Sequence, residues 1–368
     1  MANSIGKRLI TQQAVAEAVG LHYSTVSLAL RNDPRLPQKT RDRVQAAAKR
    51  LGYTPNPLVS LLMARVRRGN VEYRGTLAYV HTVPADGYRP NQVARNFLAG
   101  ATRRAGELGY RLDHFNLSAE PREATSLTRV LQARNITGVI VNHSPSPACP
   151  DHHLPFDLSP FAAVSIGVPV IRPALHYVAN DQYMRPILAA RELLALGYRR
   201  PGLVIKEPFD LFMAHRCSAG FWAVQQYGPE IEVVPILRID PAKDRSSLEH
   251  WLKEHRPQVV LGTDISICQL LEATGARVPQ DLGWVHLDRM PQHAPSAGVY
   301  GNSEYTGAAA VEMVVSQLHR GESGPPPRPS SYLVAGSWVA GTSVRQVGPA
   351  LDLNAAFFAN VTTPPGIP

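Results

Sequence analysis

Apolar residues recur at helical spacing three times within the first 51 residues. Ala14, Val15, Ala18 and Val19 share one face of a helix predicted over 12–19, with Thr11 as its N-cap and Gly20 suited to the left-handed position that ends it. A second helix, over 23–30, buries Val26, Ala29 and Leu30 and leaves Tyr23, Ser24, Ser27 and Leu28 facing outward. A third, over 37–51, starts on Pro37 and lines up Val44, Ala47, Ala48 and Leu51 before Gly52 stops it. Two short helices around a tight turn are the layout of a helix-turn-helix, whose second helix enters the DNA major groove. After Pro55-Asn56-Pro57, the segment LVSLLMARVRR is helical in pattern but has more apolar surface than it can hide. Isolated helices under about 12–15 residues are marginal in water, so this one needs a partner surface, either protein or DNA.

From Gly75 onward the pattern changes to short apolar runs alternating with helical stretches. Strands are predicted at 75–81, 111–117, 137–141, 162–166, 201–205, 233–237, 259–262 and 283–287. Helices are predicted at 91–108, 123–133, 183–195, 214–227, 246–255 and 267–273. Such alternation predicts an α/β fold of parallel sheets wound on both faces, and two such series predict two lobes with a cleft between them. The expected organisation is therefore a helix-turn-helix module over 1–56, a short helix and linker over 57–72, a two-lobed core over 73–345 and a tail over 346–368.

Charge separates the first module from the rest. Residues 1–74 hold 13 Lys/Arg against 4 Asp/Glu, while the whole chain of 368 residues has a net charge of +9, so the remainder is balanced. A basic module on a neutral body reads as a phosphate-binding footprint. Arg31, Arg35, Lys39, Arg41, Arg43, Lys49 and Arg50 interleave with helical apolar positions, unlike a solvated basic tail. No apolar run approaches the roughly 20 residues of a bilayer span, and the start lacks a secretory apolar stretch. Cys149, Cys217 and Cys268 are odd in number and far apart, which argues against a disulfide framework and for the cytoplasm.

Enzymatic signatures are missing. There is no G-x-S-x-G, no G-x-x-x-x-G-K-[ST] and no H-E-x-x-H. The Asp151-His152-His153 cluster has no nearby Cys to complete a metal set, so no metal and no cofactor is expected. A solute-binding receptor is the alternative reading, but it would need an export signal and no basic module. A DNA-architectural protein without an effector is a further rival, and the cleft argues against it.

The order and spacing of V-A-E-A-V-G, T-V-S, T-R-x-R-V, A-A-x-x-L-G-Y-x-P-N and the following leucine pair resemble the headpiece of lactose-repressor-type (LacI family) regulators. In the core, Val178-Ala-Asn-Asp181, Leu196-Gly-Tyr-Arg-Arg-Pro201, Gly220-Phe221, Thr263-Asp264, Val278-Pro-Gln-Asp281, His286-Leu-Asp288 and Trp338-Val-Ala-Gly341 follow the family's order more loosely. The resemblance implies a three-helix headpiece, a hinge helix and a two-lobed core like a periplasmic sugar-binding protein. It also implies a homodimeric repressor on a palindromic DNA operator, controlled by a small molecule, a carbohydrate or related metabolite, bound between the lobes. By the same resemblance Tyr23, Ser24 and Leu28 face the bases, and Thr25, Ser27, Arg31 and Arg35 the DNA backbone. Leu62 falls at the family's minor-groove leucine wedge, packing against Leu58 or the core being the alternative. Asp288, Thr82, Thr263 and Arg216 are implied as effector-binding residues, with a solvated loop carboxylate the alternative for Asp288.

Several positions depart from the family pattern. His22 stands where a serine N-cap is common, and a phosphate contact is one role open to it. Cys217 stands where sugar-binding members carry an arginine, Arg216 being displaced by one residue and hence about 100° around the helix. Gly167 lies where some sugar binders place a carboxylate. Leu28 stands where several members carry an arginine that reads guanine. A leucine offers a base edge apolar contact only, most naturally to a thymine methyl, forgoing about 1–3 kcal/mol of discrimination from a bidentate pair. Operator sequences recovered with this protein should therefore lack the guanine read by arginine in other members; recovering the usual family half-site would refute this reading of Leu28.

Overall fold

The computed structural model describes residues 12–30, 36–51, 53, 74–83, 92–118, 121–143, 154, 156–170, 172–228, 230–350 and 358. The chain divides into two compact units, residues 1–71 and 72–368. In the first, helices α1 (Gln12–Val19), α2 (Tyr23–Leu30) and α3 (Gln38–Leu51) pack around Val15, Ala16, Val19, Val26, Ala29, Val44, Ala47 and Ala48. Helix α1 ends in a Schellman turn: Gly20 has φ 62°, its N–H donates to Glu17 at 3.3 Å, and the Leu21 N–H donates to Ala16 at 3.1 Å. The Thr25 and Val26 N–H groups donate to the His22 carbonyl, which sets the start of α2. The Arg43 guanidinium of α3 donates to the Val19 carbonyl, placing a cation at the negative end of α1. The predicted hinge helix over 57–72 lies outside the described residues.

The second unit holds two doubly wound lobes. The N-terminal lobe begins with β1 (Gly75–Val83), α4 (Gln92–Glu107), β2 (Tyr110–Ser118), α5 (Pro121–Ala133), β3 (Gly138–Asn142), β4 (Ala162–Ile166) and β5 (His176–Asn180). The chain then crosses into the C-terminal lobe. That lobe contains α6 (Met184–Ala195), β6 (Pro201–Ile205), α7 (Glu207–Phe212), α8 (Arg216–Tyr227), β7 (Leu237–Arg238), α9 (Arg245–His255), β8 (Val259–Gly262), α10 (Ile265–Ala273), β9 (Gly283–His286) and β10 (Ala297–Tyr300). A second crossing leads to α11 (Ser303–Arg320) and β11 (Ser331–Val334) of the first lobe, and a third to β12 (Ser337–Val339). The sheets run β11-β5-β4-β3-β1-β2, all parallel, and β12-β10-β9-β8-β6-β7, parallel except for the β12 edge.

Strands buried on both faces need apolar residues at successive positions, and β3, β4, β6, β8 and β9 are buried throughout. Along β1, Leu77 and Tyr79 face α4 and α11 while Ala78 and Val80 face α5. In the other lobe Leu203 and Ile205 face α6 and α8 while Val204 faces α9 and α10. The predicted strand over 233–237 shrinks to Leu237–Arg238: Val233 is exposed, and Pro235 has no N–H for a ladder.

Helices α4 and α11 lie backbone against backbone. A Cβ added at Gly100 would stand 1.8 Å from the Glu304 carbonyl oxygen, and one at Gly307 would stand 2.0 Å from that of Phe97. Neither obstacle is a movable side chain tip. Gly100→Ala and Gly307→Ala should each cost about 1–3 kcal/mol, read as a lowered urea midpoint, because overpacking must push two helices apart. The control is Gly106→Ala in the same helix, where a Cβ meets nothing within 4 Å; it should be neutral or stabilising. Equal losses in all three would overturn the close-approach account.

Candidate functional site

Adjacent strands in a parallel sheet end side by side, and their C-terminal ends are where a two-lobed fold gathers its chemistry. Strands β8 and β9 pair with Gly262 opposite His286, so Thr263 and Asp288 emerge from neighbouring strands. Asp264 next to Thr263 caps α10, accepting from the Ser266 N–H at 2.8 Å, and takes the Lys206 ammonium at 2.6 Å. Burial raises the Asp264 pKa, but the bonds from Lys206 and Ser266 outweigh it and hold the carboxyl below its ordinary value. In the N-terminal lobe, Thr82 is the second-last residue of β1, and its hydroxyl lies 3.1 Å from Nδ1 of His143, just past β3. The lobes touch where Asn96 of α4 donates to the Met290 sulfur at 3.8 Å.

Asp288 carries the central negative charge of this region. It is partly exposed, and its Oδ1 lies 2.9 Å from Nη1 of Arg185, whose side chain is 1% exposed. Arg185 belongs to none of the motifs legible in the sequence. Its signal was a charge on a helix face shared with Leu188 and Ala189, three and four residues on, all buried in α6. Arg216, at the first position of α8, lies elsewhere: Nη2 donates to the Tyr177 hydroxyl at 2.6 Å, and the guanidinium sits over that ring at 5.8 Å. Since Tyr177 belongs to β5, this contact runs from one lobe to the other. The turn that aims Arg216 is fixed by the fully buried Asp210, which accepts from His215 at 3.1 Å and from Arg238 at 3.3 Å.

Cys217 points inward. Burial pushes its thiol up to about 12, with Arg185 lowering it and Asp210 and Asp288 raising it. The buried thiol thus lies within the field of these charges. Gly167 follows β4 at φ 84°, and a Cβ there would stand 3.1 Å from Phe97, so the turn favours glycine and offers no carboxylate. Two surface cavities of about 430 and 370 Å³ share Arg238, and neither is lined by Asp288, Thr82, Thr263 or Arg216.

Histidines line the same strand ends in neutral form. His286 stacks on His293 at 4.2 Å and meets the edge of Trp284. The Asp288 N–H donates to His286 Nδ1 at 3.1 Å, which leaves the ring proton on Nε2. Burial and the neighbouring His293 push His286 down to about 4, Asp288 and Asp264 opposing. Burial likewise lowers His81 and His293. The region therefore offers neutral hydrogen-bonding groups around two charge-balanced carboxylates, Asp288 with Arg185 and Asp264 with Lys206.

On the DNA side, Tyr23, Ser24, Thr25, Ser27 and Leu28 all fall within α2, with Thr25 and Leu28 partly buried. Arg31, Arg35 and Leu62 lie outside the described residues. Residues 11–56, which span all three headpiece helices, match the family model described as bacterial regulatory proteins, lacI family. The chain is a LacI-family transcriptional regulator. This LacI-family protein is 27% identical over 335 residues to the HTH-type transcriptional regulator PtxS of Pseudomonas putida, covering 86% of this chain and 91% of the relative. Its fold superposes on the lac repressor dimer bound to operator and the anti-inducer ONPF, with a TM-score of 0.54 and 18% identity. It superposes equally, at TM-score 0.54 and 18% identity, on the transcriptional regulator CelR in its cellobiose complex; each match covers 91% of this chain and 99% of the other. LacI-family membership places the chain among DNA-binding regulators and not among enzymes. Among the described residues, no helix is long and apolar enough to cross a membrane.

The His286 shift ties stability of this regulator to pH. Its folded pKa lies near 4 against an ordinary 6.5, so the unfolded chain takes up the proton first as pH falls. Stability is thus lost between about pH 6.5 and pH 4, by on the order of 3 kcal/mol, and no further below. His286→Gln should flatten that part of the urea-midpoint curve relative to the parent, His293 retaining a smaller share. Parallel curves for the two proteins would refute the assignment.

Proposed function

We propose that this LacI-family regulator represses transcription in the cytoplasm as a homodimer on a palindromic operator, and that a neutral carbohydrate bound between the core lobes controls it. In this reading α2 enters the major groove, with Tyr23, Ser24 and Leu28 against base edges and Thr25, Ser27, Arg31 and Arg35 on phosphates. Leu62 wedges into the minor groove between base steps. Thr82 and Thr263 hydrogen-bond the carbohydrate hydroxyls, and Arg216 bears on the lobe arrangement through Tyr177.

The observation that carries the effector half is the state of Asp288. It stands at a strand end, partly exposed, with its charge balanced inside the protein by Arg185. A balanced carboxylate has no need of a cationic ligand, yet remains a strong acceptor for O–H groups. The surrounding histidines are neutral, which suits an uncharged polyhydroxyl ligand over an anionic one. A ligand held by Asp288 from one lobe and Thr82 from the other favours the closed arrangement, and its differential affinity shifts the regulator's population.

The test is operator binding by fluorescence anisotropy with sucrose, cellobiose, ribose, glucose and gluconate added in turn. One neutral sugar should shift operator affinity at least about fivefold, the range of ordinary allosteric coupling, and gluconate should not. Asp288→Asn should abolish that response and leave ligand-free operator affinity within about twofold. Operator affinity should also fall steeply with salt, as several phosphate contacts require. Absence of any response across the panel, or an unaltered response in Asp288→Asn, would overturn the effector reading.

A further inference from the structure

We propose that Arg185 is the positioning residue that couples Asp288 to the chain crossings between the lobes, an inference that rests on Asp288 being the effector acceptor. A guanidinium cannot lose its proton, so burying it at 1% exposure obliges the protein to surround it with acceptors. Among the described residues two acceptors lie within reach, and they belong to different parts of the fold. Asp288 follows β9 and lies 2.9 Å from Nη1. Asn180 is the last residue of β5, where the chain first leaves the N-terminal lobe. An amide nitrogen facing a guanidinium would set donor against donor, so the Asn180 oxygen faces Arg185 and accepts from Nη2 at 3.0 Å.

Asn180 then reaches the second crossing. In this orientation its oxygen accepts from the Ser303 hydroxyl at 3.1 Å, and its nitrogen donates to the Gly301 carbonyl at 3.2 Å and to the Thr306 hydroxyl. All three partners lie at or beside the passage from β10 into α11. The fit there leaves no slack: a Cβ at Gly301 would stand 2.3 Å from Arg185 Nη2 and 2.7 Å from the Asn180 amide. One guanidinium thus touches the effector carboxylate with one arm and the residues joining both crossings with the other.

The contact on the Asp288 side is close but poorly directed. Arg185 Nε and Nη1 and Asp288 Oδ1 are all shut off from solvent, and none has a hydrogen bond of good geometry among the described residues. Two buried groups 2.9 Å apart without an aligned bond gain by rotating toward each other, and the gain is larger in a low-dielectric interior. The exposed part of Asp288 is what a ligand hydroxyl would engage. Engaging it reorients the carboxylate, and Arg185 follows, carrying Asn180 and the Gly301–Ser303 passage with it. Arg185 itself stays out of contact with the ligand.

Hydrogen exchange of the backbone amides tests this without any ligand, in the full chain and three variants: Asp288→Asn, Arg185→Met and the double. Asp288→Asn should speed exchange at residues 179–183 and 300–306 by about tenfold, since the uncompensated guanidinium must find new partners. In the Arg185→Met background the same substitution should add no more than about twofold. Additive effects, or amides at both crossings within about twofold of the parent in Asp288→Asn, would overturn the coupling. Should Arg185→Met fail to fold, Arg185→Lys decides: an ammonium keeps the charge but cannot fork, so Asp288→Asn should lose most of its effect in that background, and a full effect would overturn the coupling. A silent sugar panel together with a positive exchange cycle would overturn the carbohydrate reading and leave the Arg185 coupling standing.

Discussion

The second unit depends on three short stretches of backbone that must leave one sheet and enter another without stranding their polar groups. Each crossing is satisfied largely by another crossing. The Asp181 N–H, in the first, donates to the Val334 carbonyl at 2.9 Å, just before the third. Asn302, in the second, takes the left-handed conformation at φ 54° and donates from its side chain to the Ala335 carbonyl at 2.8 Å and the Ser337 hydroxyl at 3.1 Å, both in the third. Asparagine tolerates that conformation better than other non-glycine residues, because its short amide can bond locally. Meanwhile the Asp181 carboxylate receives the Tyr183 and Met184 N–H groups at 3.1 Å and so starts α6. The two lobes each close on their own apolar cores, and what joins them is polar, narrow and mutually bonded.

That arrangement explains why a charge as costly as a buried guanidinium is kept at this place. An apolar residue at 185 would leave Asn180 short of a donor and Asp288 without a counter-charge, two penalties in one step. The neutral histidines and the fully buried Cys217 complete the same logic. The histidine and thiol near the Asp288 pair are held in uncharged forms, so the paired carboxylates and their cations set the local field. The direct contact of Arg216 with Tyr177 adds a further polar link between lobes, on a different strand position from the crossings.

The headpiece was legible almost residue for residue. The predicted helices over 12–19 and 23–30 match α1 and α2, because their caps and their apolar spacing agree with tertiary packing. Strands β1, β3, β4, β6, β8 and β9 were legible for a related reason: a strand buried on both faces has to be a continuous apolar run. Strands β5, β10, β11 and β12 were not. Strand β11 is exposed at Ser331, Tyr332 and Leu333, and β12 is three residues long, so neither has a run to recognise. Helix α11 escaped because it buries small residues all round its middle, Gly307 to Val311, which erases the stripe that helix recognition uses. Of the site residues named from sequence, Thr263 and Asp288 emerge together and Thr82 is second-last in a strand of the other lobe, whereas Arg216 meets Tyr177. Arg185 and Asn180 became meaningful only when the crossings brought distant segments together. Conversely, Gly301 could be seen in the sequence, but not the two side chains that forbid it a Cβ.

Helix α11 and strand β11 also carry a consequence for how the chain is made. They complete the N-terminal lobe, yet they are encoded after almost the whole of the C-terminal one. A chain emerging from the ribosome can assemble β1 to β5 early but has nothing to cover the face of α4 that Gly100 opens. That face waits through synthesis of the next 200 or so residues, while domains otherwise tend to fold as their segments appear. The C-terminal lobe, continuous in sequence except for its late edge strand β12, can assemble most of its core first, while the lobe that starts the core stays open until α11 and β11 emerge. For a nascent chain this leaves the apolar sheet face that Ala310, Val311 and Val314 finally cover open to water until α11 has been made.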